Sequence, residues 1–308
     1  MKTNSFSAWV LAVRPYSLGN AVILVCVASS LAFVDGGFHW LPALLCLLFA
    51  LLMQSTANLV NDLCDFRRGA DQPDRLGPDR AFAKGYITLR AMRWGIGLFT
   101  LAAALTGCGL LAWAAAAGLL QQYGGVLLAV GAACLLFAYC YTAGPWPLAY
   151  HGLGDLAVIL FFGVVPVGCT YLLQTGTWMT ACFIASLACG LVIDTMLMVN
   201  NFRDREEDAR CNKRTVVVCF GAGFGRWGYL LLGVGAALLC LMMAADGRWG
   251  AALLPLPYLG LHLQTWRKMV RIDHGEALNV CLGETARNIW VFGLLFTAGI
   301  LLDKVLLG

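Results

Sequence analysis

"WMTACFIASLACGLVIDTMLMVNNFRDREEDARCNKRT" runs from Trp178 to Thr215 and changes character at its middle. The first part, 178–200, holds one charged residue, Asp194, and is long enough for a helix to cross a bilayer, which takes about 20 apolar residues. The second part concentrates charge, and Asn200, Asp204 and Asp208 fall at successive four-residue steps, the interval at which helical side chains share a face. A solvated loop has no reason to keep that interval.

Apolar runs of similar length recur near 17–35, 39–61, 91–117, 122–142, 153–173, 226–245, 249–265 and 287–307, which with 178–200 makes about nine membrane helices. Of the 308 residues 60% are hydrophobic and 12% charged, and the mean hydropathy is +0.76, which excludes a soluble globular domain. Membrane barrels alternate apolar and polar residues, whereas these runs are continuous. The chain reads as an all-α membrane protein. Arg14 and Pro15 interrupt the first apolar stretch and no small-residue cleavage site follows, so the first span is expected to stay in place.

With nine spans, Lys2, Arg14 and every Lys and Arg between 67 and 93, between 203 and 226, and between 267 and 287 share one side. Only Arg248 and Lys304 remain for the other, so the positive-inside rule puts the N-terminus in the cytoplasm. The net charge of +4 mostly follows from this topology. The 13 cysteines are odd in number and mostly sit within apolar spans without CxxC spacing, so they read as small packing residues.

The long polar segments 62–90 and 202–226 follow the second and sixth spans, which points to two four-helix units, about 8–142 and 153–265, with a final helix at 287–307, in a single domain. "NLVNDLCDFRRGAD" (58–71) supplies the first unit's acidic cluster. At about 100° per residue, Asn58, Asp62 and Asp65 point the same way. Each stripe stacks like charges at a membrane edge, which is costly unless something cationic offsets it. Taken alone, either also fits an ordinary charged helix end balanced by Arg67, Arg68, Arg203 and Arg205. Two stripes combining carboxylates with neutral Asn oxygens fit a hard divalent cation better, since Mg²⁺ takes a few carboxylate oxygens, keeps waters and completes its shell with phosphate. Such a pair suits ionisation of an allylic diphosphate, with Tyr141, Trp146, Tyr150, Phe161, Phe162 and Tyr171 available to line a cavity around the carbocation.

With both stripes placed, the chain resembles the UbiA superfamily of intramembrane aromatic prenyltransferases, and within it the 1,4-dihydroxy-2-naphthoate branch that serves menaquinone synthesis. "RPYSLGNA" (14–21), "RLGPDRAFAKGYIT" (75–88), "YTAGPWPLAYHGLGD" (141–155), "NNFRDREEDARCNKRT" (200–215) and "LNVCLGETARNIW" (278–290) carry the resemblance over nearly the whole length. The resemblance implies a helix bundle around a central cavity, Mg²⁺ dependence, a polyprenyl diphosphate donor and 1,4-dihydroxy-2-naphthoate as acceptor, joined with loss of CO₂. Membrane lipid would surround the tail, and nucleic acid plays no part. It further implies that Asn58, Asp62 and Asp65 hold one metal ion and Asn200, Asp204 and Asp208 another, that Asp62, Asp65, Asp204 and Asp208 are catalytic, and that Asp71 assists. Arg75, Arg80, Lys84, Lys213 and Arg214 are then the bases expected at the diphosphate, and Arg14, Tyr141, Tyr150, His151 and Asp155 the residues expected near the acceptor.

Three features depart from the family pattern. Asp155 stands where Glu is usual, Cys211 and Asn212 precede Lys213 where small residues are usual, and Gly69 replaces an Asp of the wider superfamily. Other acceptors, such as 4-hydroxybenzoate or homogentisate, stay open at this point, as does a cation transporter whose carboxylates line a path.

Overall fold

The structure, a computed structural model, describes residues 1–71 and 75–307. Backbone groups in lipid must be satisfied within their own segment. The apolar runs therefore fold as helices, joined by the short charged helix α9: α1 (Phe6–Val13), α2 (Pro15–Val34), α3 (Trp40–Arg67), α4 (Leu89–Ala116), α5 (Leu120–Cys140), α6 (Gly154–Ile159), α7 (Val165–Thr175), α8 (Thr180–Arg203), α9 (Arg205–Arg210), α10 (Val216–Met242), α11 (Trp249–Leu253), α12 (Tyr258–Ile272) and α13 (Asn279–Leu307). Ser5, Thr88 and Thr215 open α1, α4 and α10 as N-caps, each hydroxyl accepting from the backbone N–H three residues on. No strand forms among the described residues.

Eight of these segments are long and apolar enough to cross a membrane. The ninth expected span, 249–265, is not one helix. Pro255 and Pro257 lie between α11 and α12, where each lacks the N–H that would continue the ladder. Helix α10 also starts ten residues before the expected 226, because Gly221, at φ +85°, bends it near its start and carries the axis on.

The main core lies where α2, α7, α8 and α13 meet, around Leu24, Leu31, Val167, Val192, Phe292 and Phe296. Small residues allow backbones to touch there, as in other membrane helix crossings. A Cβ on Gly163 would stand 2.6 Å from Gly190 Cα and 2.7 Å from Ser186 O, backbone atoms that cannot yield. Gly163→Ala is therefore expected to lower the thermal midpoint in detergent, at a cost of about 1–3 kcal/mol. An unchanged midpoint would contradict this crossing.

One end of the bundle gathers Asn58, Asp62, Asp65 and the second acidic cluster. The opposite end gathers Asp35, whose carboxylate accepts from Arg248 at 2.6 Å and from the Tyr171 hydroxyl at 2.7 Å, and Lys304, which donates to Val34 O. The two basic residues that the sequence left for a second side, Arg248 and Lys304, thus share that end. Tyr171, expected in the reacting cavity, is instead part of this opposite clasp.

Candidate active site between two acidic helix ends

The last turns of α3 bury Asn58, Asp62 and Asp65, all 5% exposed or less. Asn58 donates to Val13 O and Ser17 Oγ, at 2.8 and 3.0 Å, and its Oδ1 accepts from Gln54. That locks the α1–α2 corner against α3. Asp62 Oδ2 accepts from the Phe82 N–H, while its Oδ1 has no hydrogen bond and faces Arg14 at 4.0 Å. Asp65 accepts from the Tyr150 hydroxyl at 2.9 Å. Gly69, at φ +81°, then turns the chain in the left-handed conformation that ends many helices and that only glycine adopts freely. Asp71 comes back to meet Arg75 at 3.0 Å and Arg80 at 3.2 Å.

The second edge departs from its expected form. Asn200, Asp204 and Asp208 do not lie on one continuous helix, because α8 ends at Arg203 and α9 begins at Arg205. The four-residue steps survive in the backbone, where Asp204 N donates to Asn200 O and Asp208 N to Asp204 O. Arg203, buried at 3% exposure, grips the Asp204 carboxylate at 2.6 and 2.7 Å and also reaches Asn279. Burying that carboxylate beside an unmatched acid would be costly, and the arginine fork offsets it.

The two edges face each other. Arg75 spans them, 3.0 Å from Asp71 and 3.6 Å from Asp204. Lys213 pairs with Asp208 at 3.2 Å and lies over the ring of Tyr150, whose hydroxyl holds Asp65. The Arg214 N–H donates to Tyr150 O, and the Cys211 thiol donates to Gly69 O at 3.0 Å. Two of the departures from the family pattern, Cys211 and Gly69, therefore meet across the junction. Asn212 takes φ +55°, a conformation that Asn tolerates better than most residues.

Charges here are set by their neighbours. Burial alone would raise the Asp71 carboxyl, but Arg80 and Arg75 outweigh it and hold it below the usual carboxylate range. Burial pushes Asp208 up to about 6 despite Lys213, and Asp204 adds to the rise. Burial also works against the Lys213 charge, yet Asp208 and Asp65 outweigh it and hold the ammonium above its ordinary range.

Buried oxygens of Asp62 and Asp208 lack hydrogen-bond partners, and the donors around them are hard oxygens. Among the described residues no three acidic, His or Cys side chains converge on one point. Each edge offers oxygens of the kind that Mg²⁺ takes from a protein, one or two carboxylates with phosphate and water completing the shell. The residues fit that ion.

Other expected site residues are less central. Lys84 is partly exposed and pairs with Asp79 at 3.3 Å, and the Arg214 side chain is exposed. Arg14 stands with Asp62 in the first edge. His151 is exposed, its Nδ1 at 2.8 Å from Pro147 O, and its ring packs at a tilt against Trp146, itself 57% exposed. Tyr141 and Asp155 lie together at the start of α6, as described below. Arg203, one of the cations that the sequence offered to balance the second stripe, takes that role at Asp204.

From Gln54, one turn before Asn58, an apolar cavity of about 310 Å³ runs between α2, α3, α4, α5 and α7. Phe137, Phe161 and Phe162 line it, with Phe161 stacked on Phe137 at 4.1 Å. Leu128, another lining residue, is 61% exposed, so the cavity reaches the outer surface of the bundle.

Comparison with known proteins fits this geometry. The sequence profile of the UbiA prenyltransferase family matches residues 21–292. The chain is 34% identical over 302 residues to an Escherichia coli (strain K12) protein named 1,4-dihydroxy-2-naphthoate octaprenyltransferase, covering 96% of each. It is 36% identical over 244 residues to a Mycobacterium tuberculosis protein of the same name, covering 78% of this chain and 80% of that one. Among solved structures, a UbiA homologue from Archaeoglobus fulgidus bound to DMAPP and Mg²⁺ superposes with a TM-score of 0.60 at 17% identity, covering 95% of this chain and 98% of that one, a likeness of fold.

Proposed function

The chain belongs to the UbiA prenyltransferase family, and on that premise we propose that it transfers a polyprenyl group from a polyprenyl diphosphate to 1,4-dihydroxy-2-naphthoate, with Mg²⁺ and loss of CO₂, giving demethylmenaquinol. The observation that carries this reading is the bridging of the two acidic edges, by Arg75 between Asp71 and Asp204 and by Lys213 between Asp208 and the Tyr150–Asp65 pair. A diphosphate between those edges meets both metal-binding stripes at once.

Asn58, Asp62 and Asp65 on one side, and Asn200, Asp204 and Asp208 on the other, would hold Mg²⁺, which supplies charge neutralisation of the departing diphosphate. Arg75, Arg80 and Lys213 stabilise the charge that develops on the leaving oxygens. Lys84 and Arg214 guard the outer rim, and Arg14 fixes Asp62. The prenyl tail occupies the apolar cavity behind Gln54, where Phe137, Phe161 and Phe162 exclude water from the allylic cation and offer it their faces. Tyr141, Tyr150, His151 and Asp155 bound the side from which the aromatic ring approaches. Each of two pseudo-repeated four-helix units contributes one acidic edge to a single domain. The acidic end faces the cytoplasm and the protein lies in the cell's inner membrane, by the distribution of Lys and Arg.

Mass spectrometry of lipid products from membranes given one prenyl diphosphate and a panel of acceptors tests the assignment. Prenylated, decarboxylated naphthol is expected to dominate. Dominance of a 4-hydroxybenzoate or homogentisate product would overturn the acceptor, and divalent-ion flux into vesicles without pyrophosphate release would overturn the enzyme.

A pH dependence also follows. Metal binds only the ionised carboxylate, and Asp208 is pushed up to about 6, so protons compete with Mg²⁺ at higher pH than at an ordinary Asp. The Mg²⁺ concentration giving half-maximal turnover is expected to climb as pH falls through about 6 and to be flat above it. A climb beginning only near about 4, the ordinary Asp value, would contradict this.

A further inference from the structure

Two carboxylates outside both metal-binding stripes, Asp155 at the acceptor side and Asp194 in α8, carry no chemical step in that reading. Helix α8 and the segment containing α6 and α7 run antiparallel and touch through backbone. A Cβ on Gly190 would stand 2.9 Å from Ile159 O, and one on Gly154 would stand 3.6 Å from the Leu197 side chain. This register carries Asp194, one turn beyond Gly190, to Asp155, one turn before Ile159. Asp194 is 1% exposed, has no hydrogen-bond or ion-pair partner among the described residues, and leaves Oδ1 buried and unpartnered. Asp155 Oδ1 is likewise unpartnered. A membrane helix keeps such a residue only at a cost, so a task in the site is the expected reason for it.

Tyr141 stands between the pair and the site. That hydroxyl would lie 3.4 Å from a Cβ on Gly154, and its surroundings include Lys213, Asp155, Asp194 and Asp65. Tyr141 also packs edge-on against Phe137, which with Phe161 walls the tail cavity. Directly after α6 the chain makes a π turn at Leu160–Val164, with Phe162 off helical geometry at φ −117° and ψ 15°. Such turns often sit at functional sites. Here Asp155 meets α8 while Phe161 and Phe162 line the cavity.

We propose that Asp155 and Asp194 together form the base that takes up the hydroxyl proton of the aromatic acceptor, with Tyr141 positioning that hydroxyl between them and the diphosphate. The proposal rests on the prenyl-transfer reading above. As the allylic C–O bond breaks, its electron pair leaves with the diphosphate. A ring carbon bonds to the allylic carbon, the ring hydroxyl becomes a carbonyl, and its proton passes to the carboxylate pair. When the acceptor's carboxylate then leaves as CO₂, the electrons of that C–C bond restore the aromatic ring. The carbonyl oxygen takes its proton back from the pair. Atoms and charge balance with no further reactant.

The test uses the full chain in lipid nanodiscs, comparing wild type with Asp155→Asn, Asp194→Asn and Asp155→Glu. Mg²⁺-dependent binding of geranyl diphosphate is measured on the same samples and is expected to be retained in all, which reports that each is folded. Transfer to the dihydroxynaphthoate is expected to fall about 100-fold in the Asn variants and to recover in large part in Asp155→Glu, which keeps a carboxyl. With an acceptor whose ring hydroxyl is methylated, there is no proton to take, and wild type and Asn variants are expected to be equally slow. Wild-type transfer by Asp155→Asn would overturn the proposal, as would the same fold-loss with the methylated acceptor, which marks a merely structural role. Loss of geranyl diphosphate binding in Asp155→Glu as well as the Asn variants would also overturn it. Failure of the wild type to bind geranyl diphosphate at all would instead sink the prenyl-transfer reading.

Discussion

Asp62→Ala, Asp204→Ala and Asp208→Ala are each expected to lose about 100- to 1,000-fold in turnover, while the protein still inserts in the membrane. The Asp62 and Asp208 oxygens without partners are the ones free to bind an ion, so their loss acts first on the diphosphate. Asp204 differs in detail, because Arg203 and Arg75 already hold it. Removing it frees two arginines at the site, and the variant is expected to keep more affinity for the diphosphate than Asp62→Ala does while losing turnover equally. Pyrophosphate release at several Mg²⁺ concentrations measures both effects. Wild-type activity in any of the three at low Mg²⁺ would count against the metal-binding role of both edges.

Lys213→Ala is expected to be nearly as damaging. Lys213 is the cation nearest Asp208 and contributes to holding Asp65, so its removal strands buried carboxylates, a loss of about 3–5 kcal/mol where one partner of a buried pair is deleted. Turnover should fall about 100-fold or more. A second sign separates charge from packing. Without the ammonium, burial alone acts on Asp208, so the rise in Mg²⁺ requirement on acidification should begin above about pH 6. Lys213→Arg keeps the charge and should restore part of the turnover along with the original pH dependence. An alanine variant with normal turnover and an unshifted profile would show that Lys213 takes no part.

Much of this arrangement was legible in the sequence because the bilayer imposes simple rules. Uninterrupted apolar runs had to be helices, and Asn and Asp at steps of three and four residues had to share a face. What escaped depended on contacts between distant segments or on single residues that act through backbone geometry. Pro255 and Pro257 were present in the run 249–265, yet the apolar pattern alone read across them. The apolar run near 226–245 placed the start of α10 too late along the chain, since the helix begins at Val216 and bends at Gly221. The second acidic stripe kept its spacing but not its continuous helix, because Asp204 sits between α8 and α9. Tyr171 looked like a cavity residue by position, but its hydroxyl is bound to Asp35 at the far end of the bundle. Arg203 was legible as a balancing cation but not as the direct partner of Asp204, because adjacent residues on a helix ordinarily face apart and the break at Asp204 brings them together. No spacing rule could foresee that Cys211 would meet Gly69, 142 residues away in sequence.

If the two edges jointly grip one diphosphate through metal ions, ion binding and diphosphate binding depend on each other. Counting Mn²⁺ retained per chain by electron paramagnetic resonance, with and without an unreactive thio-analogue of geranyl diphosphate, tests it most directly. The expected result is two mutually coupled ions per chain only when the analogue is present, reduced to one uncoupled ion in Asp62→Ala and likewise in Asp208→Ala. An analogue that binds equally well without metal, or an ion count untouched by either substitution, would contradict it.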